Sequence, residues 1–143
     1  MIASVFTVEN PLTLRLALFI GLFLLAASSL LVRTEHARTL LTSLKSSPAA
    51  LHATGAVTGF AGGGLLVAHV DFSSPLAALV TLVALWWAIE GLAILAIGHL
   101  LDFASEANIR IYAMSNVIAL ALGLFLVAGG LLGSSSAGGL MAG

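Results

Sequence analysis

Four runs of about twenty residues, nearly free of charge, take up most of this chain. They extend from Leu12 to Val32, from Ala49 to His69, from Leu76 to Gly98 and from Ile111 to Leu132, and only Arg15 and Glu90 within them carry formal charge at neutral pH. The hydrocarbon core of a bilayer, about 30 Å thick, is crossed by roughly 20 apolar residues in α-helix. Each run meets that length. A chain that is 60% hydrophobic and 8% charged, with a mean hydropathy of +1.16, lacks the polar surface that a water-soluble domain requires. The sequence therefore predicts an all-α, integral membrane four-helix bundle over residues 1–133. The Gly/Ser-rich residues 134–143 are expected to form a flexible tail.

The punctuation between the runs agrees with these limits. Pro11 stands just before the first and Pro48 at the start of the second, and Ser73-Ser74-Pro75 offers a cap and a first-turn proline to the third. Asp71 to Ser74 is short enough to make the second and third spans a hairpin. Ala26-Ala27-Ser28-Ser29 has some likeness to a processing site, but the apolar run continues through Val32, so the first span is read as a retained helix. Arg33, Arg38 and Lys45 follow the first span and Arg110 precedes the fourth, against Arg15 alone on the other side. That asymmetry predicts a cell (inner) membrane protein with loops 33–48 and 99–110 in the cytoplasm and both termini outside. Leu40, Leu41 and Leu44 in the first of those loops have the spacing of a short amphipathic helix lying on the membrane face.

Small residues recur every seven positions. Gly21 and Ser28 do so in the first span, and Gly55 and Gly62 in the second, with Gly59 between them. Ala77, Ala84, Gly91 and Gly98 step along the third, and Asn116, Gly123 and Gly130 along the fourth. A seven-residue period keeps one face toward a neighbour in left-handed packing. Lipid supplies no hydrophobic drive between helices, so close backbone approach at small residues carries association. These seams, with Gly55-x-x-x-Gly59 and Gly59-x-x-x-Gly63, serve packing within the chain or between copies. A homo-oligomer or a larger membrane complex is thus an expected partner, besides membrane lipid.

Glu90 is the sharpest polar feature. It lies about three residues, hence roughly 5 Å, from the centre of its span. An acidic side chain at a helix centre costs roughly 2.5–3.5 kcal/mol on insertion scales. Its carboxyl is expected to be neutral or met by a partner inside the bundle. Counting from the cytoplasmic helix ends, Thr58 is at its level, with Thr54, Asn116 and His52 nearer the cytoplasm. Glu90, Thr58, Thr54, Asn116 and His52 are therefore the candidate intramembrane cluster, serving either as structural hydrogen-bonding glue or as a proton or cation relay. Trp86 and Trp87 are mid-span, either as packing bulk or as contacts for a bound lipid, quinone or carotenoid.

Other chemistry finds little footing. The four histidines lack metal-ligand spacing, since His52 and His69 are about 25 Å apart along one helix and His36 is in a basic loop. His99 and Asp102 have the spacing to share a helical face. There are no cysteines, no Gly-x-Ser-x-Gly, no His-Glu-x-x-His and no phosphate-cradling loop outside a span. A net charge of −1 gives no footing for nucleic acid. No metal, no catalytic residue and no obligatory cofactor is expected.

From Leu14 to Ala96, just over half the chain, the order of features resembles a family of small uncharacterised bacterial four-helix inner-membrane proteins. Ser47-Pro48, the glycine-rich span, His69-Val70-Asp71-Phe72, Trp86-Trp87 and Glu90-Gly91 carry the resemblance. The departures are Asp71 for Asn, Phe72 for Trp, and Glu90 where a Lys is expected. The resemblance implies the topology and no activity. Two functions compete: a non-enzymatic membrane subunit or scaffold that packs against itself or a larger complex, and a small proton- or cation-coupled channel or transporter centred on Glu90. A lipid-acting enzyme with a cleft near His99, Asp102 and Glu106 stands third.

Overall fold

The computed structural model describes residues 6–100, 102 and 105–135. Five helices account for nearly all of them: α1 (Pro11–Leu31), α2 (Thr34–Ser46), α3 (Pro48–Ala68), α4 (Pro75–Ile97) and α5 (Glu106–Leu132). A 3₁₀ turn, Gly98–Leu100, extends α4. The fold is an all-α four-helix bundle, with α2 as a fifth, amphipathic helix across one end. Helices α1, α3, α4 and α5 are 21, 21, 23 and 27 residues long and apolar enough to cross a membrane. At about 1.5 Å per residue they reach roughly 31–40 Å.

The helix starts follow directly from local sequence. Asn10 Oδ1 accepts from the Leu12 N–H at 2.9 Å, Ser47 Oγ from Ala50 at 3.2 Å and Ser74 Oγ from Ala77 at 3.2 Å. In each case the next residue is proline, which has no N–H to leave orphaned. Ser105 caps α5 through the Asn108 N–H at 3.3 Å, with Glu106 favourably placed in the first turn. This start lies five residues before the apolar run begins. The extra turn carries Ile109 to Ala37 and Leu41 of α2, so tertiary burial extends the helix past the lipid-like sequence.

Two tight pairs build the bundle. Helix α1 lies along α5 and α3 along α4, while α1 and α4 meet more lightly. Gly21 sits so close to α5 that a Cβ there would come within 2.8 Å of the Gly123 carbonyl and the Val127 nitrogen. Gly130 faces Leu18 of α1 in the same way. In the other pair Gly62 lies against the Ala88 nitrogen and the Ala84 carbonyl, and Gly91 against the Gly59 backbone. A Cβ on Gly55 would meet Ile94, and one on Gly98 would lie 3.2 Å from Leu51. The small-residue faces thus pack on one another within the chain. A Cβ on Gly63 or Gly64 would meet nothing within 4 Å among the described residues, so the contact runs through Gly55, Gly59 and Gly62 and leaves out the Gly59-x-x-x-Gly63 step.

The outside of the bundle is apolar. Phe19, Phe60, Val67 and Ile118 are exposed, Val67 at 92%. Such a surface is unfavourable in water and ordinary in hydrocarbon, which is what a membrane protein requires. Inside, Ala17, Ile20 and Leu24 of α1, Leu76, Val80 and Val83 of α4 and Leu126 of α5 close into one core. This core fills the half of the bundle nearest the chain termini. There, Thr7–Val8 pairs with Ser134–Ser135 as a two-residue parallel ladder, which brings the first and last described segments to the same side. The tail therefore begins with two residues held in a ladder, and residues 136–143 lie outside the described residues. The α3–α4 connection on this side is latched by Thr81. Its hydroxyl donates to the Asp71 carbonyl at 3.0 Å and accepts from the Asp71 N–H at 3.1 Å.

Candidate functional site

The half of the bundle beneath α2 contains a cavity of about 450 Å³. Its existence follows from the pairing of the helices. Helices α1 and α3 belong to different tight pairs and make little direct contact, so the space between them is filled neither by a glycine seam nor by the core on the far side. Phe23 and Ala27 of α1 line it, together with Thr54, Val57 and Thr58 of α3 and Trp87 and Glu90 of α4. Leu41 and Leu44 of α2 and Tyr112 of α5 also contribute to the wall.

Three members of the expected polar cluster, Glu90, Thr58 and Thr54, are brought to this one cavity. Thr54 turns its hydroxyl back to the Ala50 carbonyl at 2.9 Å, the usual way a membrane helix satisfies a threonine. The Thr58 hydroxyl makes no hydrogen bond among the described residues and remains available to a guest. Glu90 is half-buried and within interaction range of the Trp86 indole one turn earlier. No Lys, Arg or His among the described residues lines the cavity.

His52 and Asn116 are placed elsewhere. His52 is exposed on α3, with Nδ1 2.9 Å from the Pro48 carbonyl. Asn116 is buried in α5 and donates from Nδ2 to the Tyr112 carbonyl at 2.8 Å. For His52 the reason is the helix face, since Leu51 and Thr54 at nearly the same depth line the cavity, and for Asn116 it is depth. Because α5 begins at Glu106, its wall residue at the level of Glu90 is Tyr112, one turn before Asn116. Tyr112 is close enough to Glu90 to interact electrostatically and is adjacent to Asn116. Sequence reasoning missed it. The available signal was depth: Glu90 is seven residues before the end of α4 and Tyr112 six after the start of α5.

Trp87 and Trp86 separate by face. Trp87 turns inward, edge-on to Phe23 with ring centroids 5.4 Å apart and an interplanar angle of 76°, and forms part of the cavity wall. Trp86 is exposed on the outer surface. His99 lies in the 3₁₀ turn and Asp102 outside any helix, so the two do not share a helical face. Asp102 instead accepts from Lys45 Nζ at 2.6 Å.

That contact is one of two that tether α2 over the cavity. The other is a bidentate pair between the Arg38 guanidinium and the Glu106 carboxylate, the longer of its bonds being 2.8 Å. Hydrogen bonding to Glu106, followed by its charge, raises the pKa of Arg38 above its already high ordinary value. The basic side chains of Arg38 and Lys45 are thereby engaged at the base of α5 and the loop before it. Glu90 is the only carboxyl side chain on the cavity wall among the described residues.

At a distance from the cavity, Asp71 Oδ1 accepts from the Ser73 N–H at 2.7 Å in the α3–α4 turn. This bond is the main cause that holds the Asp71 carboxyl below its ordinary pKa. The chain matches no protein-family model, no curated protein and no solved structure.

Proposed function

We propose that this protein is a small, non-enzymatic carrier of the cell membrane in which Glu90 is the binding group for a proton or cation. The observation that carries the reading is the cavity beneath α2. One carboxylate side chain, the Thr58 hydroxyl and the Tyr112 ring share a wall that no cationic residue lines among the described residues. An acid half-buried in a membrane helix without a basic partner is costly to keep, and such residues mark ion and proton pathways. The Lys/Arg asymmetry supports a cytoplasmic position for the α2 side and an outer position for both termini. The opposite half is closed by the Ile20, Leu24, Val80 and Leu126 core. The site is therefore reached from one side or from the membrane plane, as a carrier in one of its alternating states requires. A full path needs a second conformation or a second copy.

The test is uptake by the purified protein in proteoliposomes under an imposed proton or sodium gradient, read with a pH- or sodium-sensitive dye. Glu90→Gln is expected to abolish the protein-dependent flux, while Glu9→Gln, at the exposed terminus side, leaves it unchanged. Equal flux in Glu90→Gln and the native protein sinks the reading.

A second reading, a subunit that packs against itself or a larger complex, is favoured by a shallow groove on the outer face of α5. Ile111, Met114, Val117 and Ile118 line it with Ser115. The glycine seams no longer support that reading, since the chain uses them internally. The mass of the detergent-solubilised particle, with the detergent subtracted, separates a monomer from an assembly.

A further inference from the structure

The wall of the Glu90 cavity also defines what kind of cation suits it. A small hydrated metal ion is held by several oxygen ligands. Here one carboxyl is accompanied by the hydroxyls of Thr54, Thr58 and Tyr112, and that of Thr54 is already committed to the Ala50 carbonyl. The rest of the wall is apolar or aromatic: Phe23, Leu41, Leu44, Val57, Trp87 and Tyr112. A strongly hydrated ion would lose its water there for little return. An organic cation carries its charge under a hydrocarbon shell, and aromatic faces attract it through their quadrupoles. Three rings and one carboxylate within about 450 Å³ match that class in charge and in size, since small-molecule sites span roughly 300–1,000 Å³.

The route into the cavity points the same way. Phe23 and Val57 both line the cavity and are exposed on the outside of the bundle, at 54% and 70%. They belong to α1 and α3, the helices from different tight pairs that make little direct contact. The gap between them faces the hydrocarbon of the membrane, whereas the end toward water is roofed by α2 through Leu41 and Leu44. A guest that dissolves in lipid reaches Glu90 through this gap.

We propose that the cavity binds a lipophilic organic cation, a quaternary ammonium, phosphonium or protonated amine with apolar substituents. The guest enters from the lipid between α1 and α3 and places its charge between Glu90 and the Trp87, Phe23 and Tyr112 rings. The proposal rests on the reading of Glu90 as a cation-binding group and adds the substrate class and its route.

The full chain, purified in detergent, is titrated with tetraphenylphosphonium and, separately, with tetraphenylborate, an anion of nearly the same shape. The readouts are equilibrium dialysis and tryptophan fluorescence of the native chain, with Trp87→Phe as the control that assigns the change to Trp87. Saturable binding of the cation with quenching of Trp87, at least tenfold tighter than binding of the anion, is expected. Glu90→Gln, which keeps the side-chain shape, is expected to remove that preference, and Trp87→Leu to weaken cation binding about three- to tenfold. Equal binding of the two ions, or no saturable binding of the cation, overturns the proposal on the native protein alone, even if Glu90→Gln fails to fold. Glu90-dependent proton or sodium flux without phosphonium binding would leave the carrier reading standing and remove this one. Glu90-dependent phosphonium binding without any flux would do the reverse.

Discussion

Three adjacent glycines have different jobs. In Gly62-Gly63-Gly64 a methyl on Gly62 would strike the Ala88 nitrogen and approach the Ala84 carbonyl at 2.7 Å, whereas one on Gly63 or Gly64 meets open space among the described residues. Backbone on the facing helix cannot swing aside as a flexible side chain can, so the whole helix must move. Forcing extra volume into a packed interior costs about 1–3 kcal/mol. Gly62→Ala is accordingly expected to destabilise the protein by that amount, and Gly63→Ala to leave stability unchanged or raise it through better helix propensity. Thermal unfolding of both variants in one detergent, followed by circular dichroism, checks the contrast; equal losses would mean that the α3–α4 contact does not run through Gly62. The sequence marked Gly55, Gly59 and Gly62 as one face because a heptad with a mid-step glycine is visible in the letters. It could not show that Gly63 faces away, since Gly59-x-x-x-Gly63 is an equally acceptable spacing until the partner helix is in place.

Elements were the most legible level. Asn10-Pro11, Ser47-Pro48 and Ser74-Pro75 announce three helix starts, because a hydroxyl or amide cap followed by proline is chemistry confined to four residues. The start of α5 was less legible. Arg110 and Glu106 suggested a loop, whereas Ile109 and Ala113 are buried against α2 and hold that turn helical. The α3–α4 connection, also expected to be short, depends on a charge. Ser73 N–H bonding lowers the pKa of Asp71, so the folded state favours the carboxylate. A depressed folded pKa gives stability that is present above the unfolded value of about 4 and lost as the pH falls through the folded one. Asp71→Asn keeps the shape and an acceptor oxygen but removes the charge. The variant is expected to unfold at a lower temperature than the native chain at pH 7, by less than Gly62→Ala because the turn is solvent-exposed. The two melting curves should converge as the pH drops below about 4. An offset that stays constant to pH 2 would remove the carboxylate from the account.

At the scale of the whole molecule, hydropathy gave the number of spans but not their partners. Pairing α1 with α5 and α3 with α4 is what leaves the space near Glu90 unfilled, and no period within one helix encodes it. The same pairing gives the bundle two unlike ends. One carries both termini, the aliphatic core and the Asp71 turn; the other carries α2, its two ion pairs and the cavity. If the positive-inside bias governs insertion, the α2 end lies in the cytoplasm. The chain has no cysteine, so single thiols report position without background. Glu9→Cys and Phe72→Cys place an exposed thiol at the terminus end, and His36→Cys places one on α2. A membrane-impermeant maleimide added to intact cells is expected to label positions 9 and 72 and spare 36, with the pattern exchanged in inverted vesicles. Labelling of 36 alone in intact cells would invert the orientation while leaving the bundle untouched. Labelling of 9 and 36 together would contradict the fold itself, because a helix the length of α1 separates them. The labelling also fixes which leaflet is level with the gap between α1 and α3, and therefore from which side of the membrane the proposed cation would reach Glu90.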